Sequence, residues 1–290
     1  MKRIPTLDGW RGIAILLVIC DHWGSRHTIG RYGVALFFVL SGYLISTRLT
    51  AEPDLNTFYV RRMLRLWPVA WAYLFVLAIA GSLTRADGLS CLFFYRNFLS
   101  NDSLTSHFWS LSVEEQFYLL WPAILVAGGR LSLLFALAGI VGFGFGVMWP
   151  YAGLLVGCVL AFAVEWDVVR SIVLKWHQYL FPASAIGFVF CSIHYTRMVP
   201  LIGLVCIASM LACTSLNNYR WLEWKPLSVI GVYSYSIYVW QEPLRGLGWV
   251  GLSLVPVVAY ASYRFIEQPM RRLGRVSSNK PNTVPELTLK

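Results

Sequence analysis

Charge is what this 290-residue sequence has least of: Asp, Glu, Lys and Arg fill 13% of its positions, about half the share usual in a soluble domain. With hydrophobic residues at 57%, that scarcity excludes a soluble globular protein and points to an all-α integral membrane protein. Acid is scarcer than base, 14 residues against 24, for a formal net charge of +10. A basic excess can mark a nucleic-acid binder, but the sequence has no DNA or RNA module and no basic groove interleaved with aromatics, so no nucleic-acid partner is expected. Cysteine is sparse and scattered: Cys20, Cys91, Cys158, Cys191, Cys206 and Cys213 lie mostly inside apolar runs, with no CxxC and no paired histidine spacing. That argues against a disulfide framework and against a metal. No small-x-small cleavage site follows Cys20, and Asp8 and Arg11 interrupt the approach to the first apolar run. "MKRIPTLDGWRGIAILLVIC" therefore reads as a retained first helix and not as a signal peptide.

What the sequence has in quantity is long apolar runs. A window of about 20 residues, the length that crosses about 30 Å of hydrocarbon, finds ten spans near 9–25, 30–47, 67–84, 107–127, 131–149, 151–166, 178–195, 198–216, 227–243 and 247–266. The stretch "LSCLFFYRNFL", 89–99, is apolar but too short to span and reads as a re-entrant or interfacial segment. The expected fold is a bundle of about ten transmembrane helices. With both termini in the cytoplasm, only Arg26, Arg31, Arg85, Arg96, Arg197 and Arg245 of the 24 basic residues fall on the far side, the asymmetry that the positive-inside rule requires. Residues 1–274 form one membrane domain in this reading. The tail 275–290, "RVSSNKPNTVPELTLK" from Arg275 onward, is polar and is expected to be a disordered cytoplasmic end.

Three polar constellations break the apolar pattern. Arg11 and His22 are eleven residues apart, which brings them within about 20° of one helix face and about 16 Å apart along the axis. Ionisable groups inside a membrane usually face a cavity or a partner, and histidine takes up and returns protons near neutral pH; a histidine merely hydrated at headgroup level accounts for His22 equally well. Arg61, Arg62 and Arg65, in "FYVRRMLRLWP" just before the third span, suit bidentate phosphate recognition, or equally a topology signal or a contact to anionic lipid. In "HFWSLSVEEQFYLLWP", the adjacent Glu114 and Glu115 point about 100° apart, so one faces the interior and the other is expected at water. Polar residues recurring at 110, 114 and 118 make Glu114 the inward one, although acidic residues in a first turn also offset the helix dipole.

Taken in order, "LDGWRGIAILLVICDH", "GVALFFVLSGYLIS", "FYVRRMLRLWP", "FWSLSVEEQFYLLWP", "YSYSIYVWQEPL" and "RFIEQPMRR" resemble the membrane acyltransferase-3 family, the bacterial inner-membrane O-acyltransferases that decorate surface glycans. The blocks run from residue 7 to about 272. The resemblance implies acetyl-CoA as donor from the cytoplasm and a saccharide hydroxyl as acceptor, with no metal. The family's helix-one arginine and histidine fall on Arg11 and His22, its basic motif on Arg61, Arg62 and Arg65, and its acidic residue on Glu114. One departure stands out: Gln241 occupies the usual histidine of the ninth span, with Glu242 after it, and both are left outside the expected core site.

On that resemblance, Arg61, Arg62 and Arg65 hold the CoA phosphates while His22 serves as general base, or is itself transiently acylated. Glu114 is expected to orient the imidazole, in preference to Asp21, which projects about 100° away from His22. Arg11, Tyr43 and Ser110 are the candidate oxyanion donors. The competing reading is a non-catalytic transporter or flippase of a lipid-linked glycan, for which internal inverted repeats would speak; the halves show no such self-similarity. Only a short tail follows the tenth span, so acceptor specificity is expected from the outer loops and the cavity.

Overall fold

The computed structural model describes residues 5–24, 29–100, 103–144, 148–194 and 199–277. Among them the secondary structure is helical throughout. In chain order the helices are α1 (Pro5–Trp23), α2 (Ile29–Ala51), α3 (Leu55–Ile79), α4 (Arg85–Leu92), α5 (Phe108–Gly128), α6 (Ser132–Phe143), α7 (Trp149–Ala163), α8 (Asp167–Ile193), α9 (Val199–Leu216), α10 (Lys225–Arg245), α11 (Gly248–Ser262) and α12 (Gln268–Ser277), with a π-helical turn, Tyr263–Glu267, joining the last two.

Each of the ten expected spans overlaps one helix, but not all are long enough to cross a bilayer alone. By length and composition four stretches qualify among the described residues, Ile29–Ala51, Leu55–Ile79, Phe108–Phe143 and Gly248–Gly274. A fifth qualifies if α7 and α8, bent by 98° at their junction, count as one broken span. The chain is a multi-pass membrane protein. Large apolar side chains stand outward on its surface, with Phe75 67%, Ile79 73%, Val141 71%, Ile186 71% and Phe265 75% exposed, as a hydrocarbon solvent permits.

Three differences from the sequence expectation have physical causes. Helix α3 starts twelve residues before the expected third span, capped by Asp54, whose side chain accepts from the Thr57 amide at 3.0 Å. The arginines of "VRRMLR" therefore belong to the spanning helix itself, two of them, Arg62 and Arg65, turning their charge into a cavity and not to lipid. The 89–99 stretch folds as α4 and a short 3-10 turn, Arg96–Phe98, held by a buried arginine. Arg96 is 1% exposed; it bonds Thr105, Ser103 and the Leu99 carbonyl, each at 3.2 Å, and lies 3.8 Å from the Asp87 carboxylate. Helix α12 carries the chain to Ser277, past the boundary expected at 274; the remaining tail, 278–290, lies outside the described residues.

Two close seams set the helix positions. A β-carbon at Gly231 of α10 would overlap the Asp8 carbonyl of α1, and one at Gly12 would meet the Leu227 carbonyl. A β-carbon at Gly42 of α2 would likewise overlap the Leu154 carbonyl of α7. Small residues let membrane helices approach to backbone contact. Because Ser228 near the start of α10 bonds the Pro5 carbonyl at the start of α1, while Glu242 and Arg245 near its end meet His22, α1 and α10 run parallel, and whatever lines one end of α1 faces the matching end of α10.

Candidate functional site

Helix α1 carries ionisable groups toward both of its ends, Arg11 with Asp8 at the first and His22 at the second. At the first end Arg11 lines a cavity of about 600 Å³, open mouth included, together with Arg62 and Arg65 of α3, Ser41 of α2, Glu114 of α5 and Tyr238 of α10. The structure thus brings together four of the six expected site residues, Arg11, Arg62, Arg65 and Glu114; Arg61 lies on the same turn of α3 but outside the cavity lining.

The cavity wall is strongly cationic. Arg62 lies over the Tyr118 ring, 3.7 Å from its centroid. The Nε atoms of both Arg62 and Arg65 are buried without a hydrogen-bond partner. Arg65 is within electrostatic reach of Arg11, Arg62 and Arg271, against Glu267 as the opposing charge. Glu267 is itself shared, accepting from Ser236 at 3.0 Å and pairing with Arg271 at 3.3 Å, while Arg11 reaches Asp8 at 3.4 Å. Half-buried cations crowded in this way repel one another until an anion joins them, and guanidinium groups favour bidentate phosphate oxygens.

Glu114 serves the cavity and not the histidine. Ser41 donates to its Oε1 at 2.8 Å, and Tyr118 donates to Ser41 at 3.1 Å. Its neighbour Glu115, expected at water, is half-buried and accepts from the Trp67 indole at 3.0 Å. The Tyr238 hydroxyl pairs with Ser110 Oγ at 2.6 Å and donates to the His107 carbonyl at 2.8 Å. Ser110 and Arg11 therefore stay at the cavity, whereas Tyr43, the third expected oxyanion donor, packs with the α1–α2–α7–α9 core and is not part of the lining.

At the other end of α1, His22 meets a carboxylate that the sequence reading had left out. Glu242 Oε2 lies 3.6 Å from His22 Nδ1. Glu242 Oε1 holds Arg245 Nη1 at 3.0 Å, and Arg245 Nε donates to the His22 carbonyl at 3.1 Å. Asp21 is buried against Gly30 of α2, on another face of α1 as its position adjacent to His22 requires. The cavity lining does not include His22, so the site has two parts, joined along the parallel α1 and α10.

An acyltransferase-domain family model, acyltransferase-3, matches residues 4–266, which takes in both parts. The chain belongs to the acyltransferase-3 family. Among curated proteins, this acyltransferase is 27% identical to the peptidoglycan O-acetyltransferase OatA of Listeria monocytogenes, over 95% of this chain and 57% of that protein. It is 29% identical to the putative peptidoglycan O-acetyltransferase YrhL of Bacillus subtilis, over 94% of this chain and 56% of that protein. The O-acetyltransferase OatA of Staphylococcus aureus is 28% identical, over 94% and 58%. The acyltransferase thus spans little more than half the length of these relatives. No solved structure matches it.

Sequence reasoning missed Glu242, Arg245 and Arg271. A signal for the first two was present: an acid and a base three residues apart at the end of an apolar helix, where ionisable groups are rarely idle. Arg271 stood in a motif quoted only for its resemblance, and its place beside Arg65 follows from the return of α12 onto α3.

Proposed function

We propose that this acyltransferase is a membrane O-acetyltransferase that takes the acetyl group of acetyl-CoA and passes it to a hydroxyl of a glycan. Ten membrane-crossing segments with cytoplasmic termini, in a bacterial inner membrane, would put the arginine cavity on the cytoplasmic side and His22 toward the opposite face. One observation supports the reading above others: a single helix face joins the arginine cavity, through Arg11, to a carboxylate-paired histidine about 16 Å further along the axis. A phosphate-rich carrier with a long slim arm suits that layout. Its phosphates sit among Arg62, Arg65 and Arg11, beside Arg61, and its thioester reaches inward along α1 and α10.

His22 Nδ1 is buried toward Glu242, which leaves Nε2 to meet the acceptor. Nε2 takes the hydroxyl proton as the oxygen attacks the thioester carbonyl. The C–S bond then breaks, and the CoA sulfur leaves as the thiol with the proton returned by the imidazolium. Proton transfer of this kind contributes roughly 10² to 10⁴ in rate. The relatives' names make peptidoglycan the first acceptor to test. Purified protein in nanodiscs is supplied with acetyl-labelled acetyl-CoA and peptidoglycan fragments. Labelled ester on the glycan and equimolar free CoA thiol are expected. A folded protein that neither binds acetyl-CoA nor releases thiol would overturn the proposal.

A further inference from the structure

We propose, on the reading just given of His22 as base, that Glu242 is the positioning residue of that base and that Arg245 locks the pair. The observation is a closed loop of contacts between two helix ends. The Glu242 carboxylate faces His22 Nδ1 with one oxygen, at 3.6 Å, and holds Arg245 with the other, at 3.0 Å. Arg245 returns to α1 by donating from Nε to the carbonyl of His22 itself, at 3.1 Å. The last carbonyls of a helix have no partner within it, so this bond fixes the backbone of the residue whose ring the same unit orients. The Trp23 indole, donating to the Gly248 carbonyl at 2.9 Å, holds the next residue of α1 against the start of α11.

The loop is more than a surface ion pair. An exposed i, i+3 pair such as Glu242 with Arg245 adds little stability by itself. The Glu242 side chain is only 13% exposed, however, and it faces the one nitrogen of His22 that is buried without a hydrogen bond. Donation from Nδ1–H to a carboxylate fixes the tautomer, keeps the Nε2 lone pair toward the acceptor and stabilises the imidazolium formed during transfer. At 3.6 Å the contact is looser than a hydrogen bond, as is common for catalytic pairs without substrate. The charged and titratable groups around His22 are Asp21 on its own helix, Glu242 and Arg245 on α10, and His107 before α5. Of the two carboxylates, only Glu242 faces the ring nitrogen. Gln241, fully buried and within reach of the His22 ring, is neutral and supplies no charge.

The test uses the full chain in nanodiscs with acetyl-CoA, measuring thiol release both with peptidoglycan fragments and with water alone as acceptor. Glu242→Gln should lower kcat about 10- to 100-fold, the scale on which groups that orient a functional histidine act, with KM for acetyl-CoA unchanged. Glu242→Asp, which keeps the carboxylate, should recover part of the rate. Adding Glu242→Gln to His22→Ala should cost nothing further, since residues acting as a unit are not additive. Arg245→Gln is the second variant, expected to lower kcat less, again at constant KM. Wild-type kcat in folded Glu242→Gln, or a full additional loss in the double mutant, would overturn the assignment of Glu242. An active His22→Ala would instead sink the underlying reading of His22.

Discussion

Replacing Arg65 by Met should make the empty protein no less stable while removing much of its grip on the donor. In the cavity Arg65 faces three other arginines and shares Glu267 with Arg271. Its Nε has no hydrogen-bond partner, and Glu267 keeps Ser236 and Arg271 when it goes. A like charge nearby costs on the order of 1–3 kcal/mol at an effective dielectric constant of about 20, so losing this cation relieves repulsion. Against acetyl-CoA the sign reverses, because a charge-assisted bond to phosphate contributes about 1.5–3 kcal/mol, or about 10- to 150-fold in Kd. At a ligand concentration of about 100 Kd for the wild type, ligand stabilisation is about 2.7 kcal/mol; a roughly 30-fold weaker Kd leaves about 0.9 kcal/mol. Thermal unfolding with and without acetyl-CoA, paired with calorimetric titration, reads both quantities on one preparation. Expected are an apo Tm at or above that of wild type and a shrunken ligand shift. A marked fall in apo Tm with unchanged Kd would refute the reasoning and make Arg65 a structural ion-pair residue.

Three further outcomes follow from the geometry. Gly231→Val should drive side-chain atoms into the Asp8 carbonyl and cost about 1–3 kcal/mol or more, read as a lower Tm together with lost activity, since α1 and α10 carry both parts of the site. Arg96→Ala should leave Asp87 buried without its cation and lower stability by about 3–5 kcal/mol; Arg96→Lys should rescue little, since one ammonium cannot replace the guanidinium bonds to Thr105, Ser103 and the Leu99 carbonyl. Tyr238→Phe should leave the Ser110 hydroxyl and the His107 carbonyl without this partner and lower stability by about 1–3 kcal/mol, with donor affinity unchanged in titration.

Hydropathy located ten helices because lipid demands apolar length, and it failed where charge turns inward. The start of α3 reads as amphipathic surface because Arg62 and Arg65 face a cavity, and α4 is too short and polar to register in a membrane-length window. The cavity group was legible only as a cluster: the i, i+4 spacing puts Arg61 and Arg65 on one face, whereas the cavity is lined by Arg62 and Arg65, a choice that depends on how α3 is rotated against its neighbours. The carboxylate at His22 was not legible. Glu114 and Glu242 are both acids near helix ends, and the choice between them rests on the parallel seating of α1 on α10, which Gly9, Gly12 and Gly231 permit by backbone contact. A sequence read one helix at a time holds no information on that seating.

The central claim is that His22 carries the proton, and His22→Gln tests it most directly. The amide keeps the approximate shape and some hydrogen bonding but cannot accept the hydroxyl proton. With the arginine cavity intact, acetyl-CoA binding should stay at wild-type strength while thiol release and ester formation fall by about 10² or more. Retention of most of the wild-type turnover in folded His22→Gln would contradict the account.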